Sequence, residues 1–302
     1  MPLLEMVAKL PRPIAYVFGG GASYGSVQVG QLKALANTDI TPDFVVGTSV
    51  GSLNGAVVAE DFRRAPEHLE VMWLNMTRKE VFGKVLGSAY NLATKKGAVV
   101  NNEGLREVIE SAVTARTFEQ LALPHTAVTT DFGTGEVVPI GSGDLVSALL
   151  ASSAIPLIFP PVKRADRLLV DGGVLANVPI SQAAALGAQT IVVLDCGFTV
   201  MPPEQEDTAL GRLLRTAAIV AAQQVRRDLK SVDDRYVLYL PGPWPMSGRP
   251  DDFKDSAERI ERSYELVMEW LPTVNLVGPG RYGTAPSDML ITTKVLPAPD
   301  QL

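Results

Sequence analysis

At 302 residues the chain is long enough to bury a sizeable core, as one large α/β domain or one domain with appendages. Hydrophobic residues make up 46% and charged residues 20%, which excludes a disordered chain. The formal net charge of −6, with basic residues scattered, argues against the concentrated cationic face that nucleic acid needs.

Cys196 is the single cysteine, so disulfides within the chain and cysteine-based metal sites are excluded. It follows an apolar run and reads as a small buried hydrophobe. Residues 1–13 lack the long apolar core of a signal peptide, and no run of about 18 apolar residues is present to span a bilayer. A cytoplasmic protein, at most peripheral to a membrane, is the expectation.

Residues 14–18 are almost wholly apolar, as expected of a parallel strand covered on both faces. Gly19-Gly20-Gly21-Ala22-Ser23-Tyr24-Gly25 follows, and residues 26–36 have helical spacing. Glycines between a strand and a helix present unpaired backbone N–H groups to whatever lies above them. Such a loop could cradle a nucleotide phosphate or form an oxyanion hole for acyl transfer. A P-loop's Gly-Lys-Ser/Thr is missing here. The acidic residue that a dinucleotide site carries after its next strand is replaced by Gly47-Thr48-Ser49. The oxyanion reading is therefore favoured.

Residues 43–48 form the next strand and residues 50–60 the next helix. Gly47-Thr48-Ser49-Val50-Gly51 between them is G-x-S-x-G in a strand–turn–helix context. Such a turn strains the backbone and brings strand and helix close, so glycines flank the serine. The hydroxyl of Ser49 is left exposed at the strand's C-terminal end, as a nucleophile must be.

Residues 65–74 read as a helix with Pro66 in its first turn. Residues 75–97 lose periodicity and read equally as a lid or a loop. Residues 102–114 regain helical spacing, and 126–132 with 136–140 form a hairpin around Gly133-Thr134-Gly135. Residues 143–154 are a small-residue helix. The proline-pinned stretch 156–161 is either an acyl-pocket lining or a buried connection. Leu168-Leu169-Val170 leads into Asp171-Gly172-Gly173, residues 179–186 form a short helix, and residues 190–194 form a strand ending at Asp195. This alternation describes a three-layer α/β/α sandwich with a mostly parallel central sheet. Its ligands belong at the strands' carboxyl ends, where the glycine run, Ser49 and Asp171 all fall.

Beyond residue 200 come a polar linker, a long helix over 208–230 and a second amphipathic helix over 253–271. A strand is expected over 236–240 between them, and the last 30 or so residues are Pro- and Gly-rich. The first helix carries Leu210, Leu213, Leu214, Ala217, Ala221 and Val225 on one face, a stripe that reads as packed core. Arginines on its other faces would permit membrane contact. The expected division is 14–197 as the catalytic unit and 198–302 as a helical extension packed on it.

A serine nucleophile needs a base. Only His68 and His125 are available among histidines, and neither follows Asp171 in the Ser–acid–His order of an α/β-hydrolase. His68 reads as a solvated helix residue and His125 as a structural one. A carboxylate could act directly if burial raised its pKa. Asp171 fits by position, with Asp195 as runner-up.

The ordered set Gly19-Gly20-Gly21-Ala22 to Gly30, Gly47-Thr48-Ser49-Val50-Gly51 and Asp171-Gly172-Gly173 resembles the patatin-like phospholipase family. Thr130-Asp131-Phe132-Gly133-Thr134-Gly135-Glu136 and Ala151-Ser152-Ser153-Ala154-Ile155-Pro156 through Phe159-Pro160-Pro161 match as well. The resemblance covers roughly residues 14–197. It implies a lipid acyl hydrolase that needs no metal or organic cofactor, with Ser49 as nucleophile and Asp171 as general base. It also implies an oxyanion hole over Gly20, Gly21 and Ala22, and a lipid or other acyl ester as the partner. Two residues depart from the family's Gly-Gly-Gly-x-Arg/Lys-Gly loop when it is matched back from Gly25: Ala22 stands for the third glycine and Tyr24 for the basic residue. Rival readings are an acyltransferase or thioesterase with the same dyad, and an inactive lipid-binding protein. A nucleotide-binding protein ranks below these.

Overall fold

The computed structural model describes residues 10–83, 100–200 and 209–292. The strands are β1 (Ile14–Phe18), β2 (Phe44–Thr48), β3 (His125–Asp131), β4 (Val137–Ile140), β5 (Val162–Arg164), β6 (Arg167–Asp171), β7 (Thr190–Leu194), β8 (Tyr236–Tyr239) and β9 (Gly280–Tyr282). They form one sheet in the order β5-β6-β3-β2-β1-β7-β8-β9, with β4 paired on β3. From β3 across to β9 every neighbouring pair is parallel, while β4, β5 and β6 run antiparallel to the strands they join.

The helices are α1 (Ser26–Leu35), α2 (Val50–Glu60), α3 (Ala65–Asn75), α4 (Arg78–Phe82), α5 (Glu103–Ala112), α6 (Leu145–Ser152), α7 (Ile180–Ala185), α8 (Ala209–Ser231), α9 (Ser256–Trp270) and α10 (Pro286–Thr292). Strand side chains alternate between two apolar layers, as the pleat requires. Tyr16, Phe18, Val45, Val192 and Leu238 pack into one layer with Leu32, Val57 and Trp73 from α1, α2 and α3. Ala15, Val17, Val46, Val128 and Val193 pack into the other with Ile180 and Ala183 of α7 and Val225 of α8. This is the three-layer architecture expected.

Three differences matter for the site. The strand that ends at Asp171 runs antiparallel to β3, with Asp171 paired to Thr129, whereas a parallel strand was expected. Asp171 still reaches the rim of Ser49, because β6 enters from that rim and stops just inside it. Thr48 is in register with Val128, one residue from Asp171's partner.

The segment after residue 200 supplies more than helices. β8 and β9 extend the same parallel sheet, and α9 crosses α1 so closely that a Cβ on Gly30 would lie 2.1 Å from the carbonyl of Ile260. Neither β9 nor α10 was visible in the Pro- and Gly-rich tail. On α8 the inward face is Ala218, Ala221, Ala222 and Val225, while Leu213 of the expected stripe stays exposed.

Within the segment read as lid or loop, α4 is opened by a capping box. Glu80 N–H donates to Thr77 Oγ1 at 3.3 Å, and Thr77 N–H donates to Glu80 Oε2 at 2.8 Å. Residues 84–97 of that segment lie outside the described residues. No helix among the described residues is long and apolar enough to cross a membrane.

Candidate active site

Ser49 closes β2 and caps α2 with φ 55° and ψ −131°, a left-handed conformation costing a non-glycine residue about 1–3 kcal/mol. The close approach of strand and helix explains its flanking glycines. A Cβ on Gly47 would lie 2.4 Å from the carbonyl oxygen of Gly51, and one on Gly51 would lie 2.4 Å from that of Phe18. The strained turn is held from below. Ser49 N–H donates to Ser152 Oγ at 2.9 Å, and Ser152 Oγ–H donates to the Val128 carbonyl at 2.7 Å.

Asp171 is buried at the end of β6, and its Oδ1 accepts the Gly173 N–H at 2.6 Å. The Ser49 side chain lies close enough to this carboxylate to favour its charged form. Burial pushes its pKa up from 3.8 to about 6, opposed by the Ser49 side chain and the Gly173 N–H. Gly172 has to be glycine on space alone, since a Cβ would lie 2.3 Å from the Val128 carbonyl.

The glycine loop passes over this pair. Gly19 N–H donates to the Leu194 carbonyl at 3.0 Å and Gly20 N–H to the Asn177 carbonyl at 2.9 Å. The Gly20 amide is therefore committed elsewhere, which corrects its expected place among the oxyanion donors. Gly20 serves as a spacer instead: a Cβ there would lie 3.2 Å from the Cβ of Ser49 and 2.8 Å from Asn177 Oδ1. Among the described residues, the amides of Gly21 and Ala22 donate to no protein acceptor. Ala22 adopts φ 51°, so its N–H is presented by a left-handed turn that glycine would enter without strain. Val50 N–H, in the first turn of α2, has no partner within the helix. Gly25 carries no Cβ because Trp73 and Val50 occupy that space.

The other candidates fall away from this cluster. His68 is exposed on α3. His125 opens β3 in register with Val45, at the far end of the strand from the elbow, stacked on Phe118 with centroids 5.9 Å apart. Burial lowers its pKa to about 4, which keeps it neutral. Asp195 is buried beneath the loop, accepting from the Tyr239 hydroxyl and from Gly197 N–H at 3.0 Å. Cys196 Sγ donates to the Gly19 carbonyl at 3.2 Å, and burial beside Asp195 raises its pKa, so it is an inert thiol. Among the described residues no group of three or more His, Cys, Asp or Glu could hold a metal ion.

A model of the family described as patatin-like phospholipase matches residues 16–184. The chain belongs to the patatin-like phospholipase family. Members of this family are lipid hydrolases. Among curated relatives, patatin-like phospholipase domain-containing protein 7 of Mus musculus is 29% identical over 186 residues. That match covers 61% of this chain and 14% of the relative, so this chain spans about one seventh of the relative's length. An uncharacterized NTE family protein of Mycobacterium tuberculosis is 27% identical over 225 residues, covering 72% of this chain and 60% of that one. Among solved structures, VipD from Legionella pneumophila aligns with a TM-score of 0.45 and 15% identity over 87% of this chain and 67% of the other.

Within this patatin-like site, two residues carry contacts that their sequence positions did not announce. Ser152 lies in the Ala151–Pro156 motif stretch, but its link to the Ser49 amide depends on α6 packing against β3. Asn177 clamps Gly20 from both sides: its carbonyl takes the Gly20 N–H, and its Nδ2 donates to the Gly20 carbonyl at 3.3 Å. Its own N–H donates to Gln224 of α8 at 3.0 Å. The one clue was a lone amide between apolar Ala176 and Val178, shortly after Asp171.

Proposed function

We propose that the chain is a serine-dependent lipid acyl hydrolase acting through Ser49 and Asp171. The observation that carries this reading is a strained elbow that sets the Ser49 side chain beside a buried carboxylate, Asp171, whose pKa burial pushes up to about 6. A carboxylate of pKa about 4 is a weak base, and desolvation brings this one closer to the operating range. Membership of a family of lipid hydrolases supports a carboxylic ester of a lipid as the substrate class.

In the proposed reaction Asp171 takes the Ser49 proton as Oγ attacks the ester carbonyl. The negative charge that develops on the carbonyl oxygen is met by the amides of Gly21 and Ala22, with Val50 N–H at the positive end of α2. Collapse expels the alcohol, protonated by Asp171, and leaves an acyl-enzyme on Ser49. Water deprotonated by the same carboxylate then releases the fatty acid and restores the serine.

The test is hydrolysis of p-nitrophenyl esters and phospholipids by the wild type, Ser49→Ala and Asp171→Asn, alongside labelling by a fluorophosphonate. Turnover and Ser49 labelling in the wild type alone are expected. Turnover surviving in Ser49→Ala would overturn the reading. Binding of lipid vesicles with neither turnover nor labelling would replace it with an inactive lipid-binding protein. Transfer of the acyl group to an added alcohol in preference to water would make the enzyme an acyltransferase with the same dyad.

A further inference from the structure

The loop that carries the free amides of Gly21 and Ala22 is not held by the elbow half of the molecule alone. Immediately after Ala22, Ser23 N–H donates to the Pro250 carbonyl at 2.9 Å and Ser23 Oγ to the Arg249 carbonyl at 3.2 Å. The Tyr24 hydroxyl donates to the Gly248 carbonyl at 2.7 Å. Residues 248–250 therefore strap the end of the loop, and they come from the chain more than 220 residues later.

Strap and loop meet on one cation. Arg259 of α9 is buried, with its guanidinium carbon 5.1 Å from the centroid of the Tyr24 ring. Its Nη1 donates to the Ser23 carbonyl and to Ser23 Oγ, both at 3.4 Å, and to the Asp252 carbonyl at 3.3 Å. Its Nη2 donates to the Ser247 carbonyl at 3.0 Å and pairs with Asp255 Oδ2 at 3.5 Å. The planar fork of an arginine can serve several carbonyls and an aromatic face together, which a lysine ammonium cannot do in the same geometry.

We propose that Arg259 and Tyr24 are positioning residues of the site, fixing the Ala22 turn so that the Gly21 and Ala22 amides point at the reacting ester. The inference rests on the acyl-hydrolase reading above. The turn needs such a restraint. Ala22 sits at a positive φ that persists only where the surroundings over-determine it, and a displaced oxyanion donor loses most of its effect. The restraint follows from where the contacts end: the strap and the guanidinium bond Ser23, the residue next to Ala22, from both its backbone and its side chain. The 244–263 segment is on this view part of the catalytic apparatus rather than an appendage to it.

The experiment compares Arg259→Met, Arg259→Lys and Tyr24→Phe with the wild type and with Glu261→Gln, an exposed position on the same helix. Steady-state hydrolysis of a p-nitrophenyl ester and the rate of Ser49 labelling by a fluorophosphonate are the readouts. For Arg259→Met, kcat and the labelling rate are expected to fall together by about 10- to 100-fold while KM stays within about twofold. Arg259→Lys should fall between, and Tyr24→Phe should lose about threefold to tenfold in kcat. A folded Arg259→Met with kcat within twofold of wild type would overturn the proposal. If that variant does not fold, Tyr24→Phe with undiminished kcat would overturn it instead. A wild type that neither hydrolyses esters nor labels at Ser49 would be the failure of the hydrolase reading itself.

Discussion

Ser49 N–H donates to Ser152 Oγ at 2.9 Å, so one buried hydroxyl holds the backbone of the strained elbow while donating its own hydrogen bond to the Val128 carbonyl of β3. Ser152→Ala removes both bonds and leaves a buried N–H and a buried carbonyl short of a partner. An orphaned buried polar group costs about 1–3 kcal/mol. Urea unfolding of Ser152→Ala should show a loss of that size, with kcat down by roughly tenfold as the elbow relaxes. Unchanged stability would show that the hydroxyl is dispensable.

Asp171 sets the pH behaviour, and two opposite signs follow from its raised pKa of about 6. In the proposed mechanism the base must be ionised, so kcat/KM should rise with pH through about 6 and then level off. For stability, the native state binds this proton more tightly than the unfolded chain, whose carboxylate titrates near 3.9. The group's contribution therefore falls as pH rises from about 4 to about 6 and stays low above that. Asp171→Asn should abolish turnover, raise the unfolding midpoint at pH 7.5 and flatten the stability profile between those values. A variant less stable than wild type at pH 7.5 would contradict this.

Gly30 tests how tightly the C-terminal half is bound to the sheet. A Cβ there would lie 2.1 Å from both the Ile260 carbonyl and Ser263 Oγ, and 2.8 Å from the amide of Tyr264. Two of those three neighbours are backbone of α9, so no rotamer change relieves the clash. Ser263 Oγ also donates to the Val27 carbonyl at 2.9 Å, which ties the helices at the same crossing. Gly30→Ala should destabilise by about 3 kcal/mol or more, beyond the usual range for overpacking by one methyl. It should also expose the 244–263 segment to proteolysis. A protease pattern like that of wild type would mean that α9 shifts without detaching.

The legible parts of the fold were those built from short-range signals. β1, α2 and β7 appear at the residues expected and β2 starts one residue later, at Phe44, because a parallel strand buried on both faces is a nearly continuous apolar run. The direction of β6 was not legible, since Leu168-Leu169-Val170 has the same composition whichever way it pairs. β9 has only Gly280, Arg281 and Tyr282, too few residues to show a period. At the candidate site, turn chemistry and chain order pointed to Ser49 and Asp171, which the fold brings to the same rim of the sheet. The commitment of the Gly20 amide to Asn177 was not legible, because a glycine run does not show which of its amides are already used. Tyr24 looked like the loss of a positive charge from the loop. In the fold an arginine from α9 stands over its ring, a contact spanning two distant stretches that no local pattern predicts.

Ala22 and Gly20 separate conformational need from steric need within the same loop. Ala22 adopts φ 51°, where a Cβ costs about 1–2 kcal/mol relative to the right-handed region. Glycine enters that conformation freely but loses more chain entropy on folding, which offsets roughly 0.5–1 kcal/mol of the gain. Ala22→Gly should therefore be neutral to about 1 kcal/mol stabilising, and it should retain activity because the proposed donor is the backbone N–H. Gly20 has an ordinary φ, and its constraint is space: a new Cβ would stand 2.8 Å from Asn177 Oδ1 and 3.2 Å from the Ser49 Cβ. Gly20→Ala should push the loop away from the serine and cut kcat by about 100-fold or more while the protein still folds. Thermal unfolding and p-nitrophenyl ester turnover of the two variants, measured side by side, check both halves. Equal activity losses in the two would mean that the loop tolerates no change at either position and that the separation is mistaken.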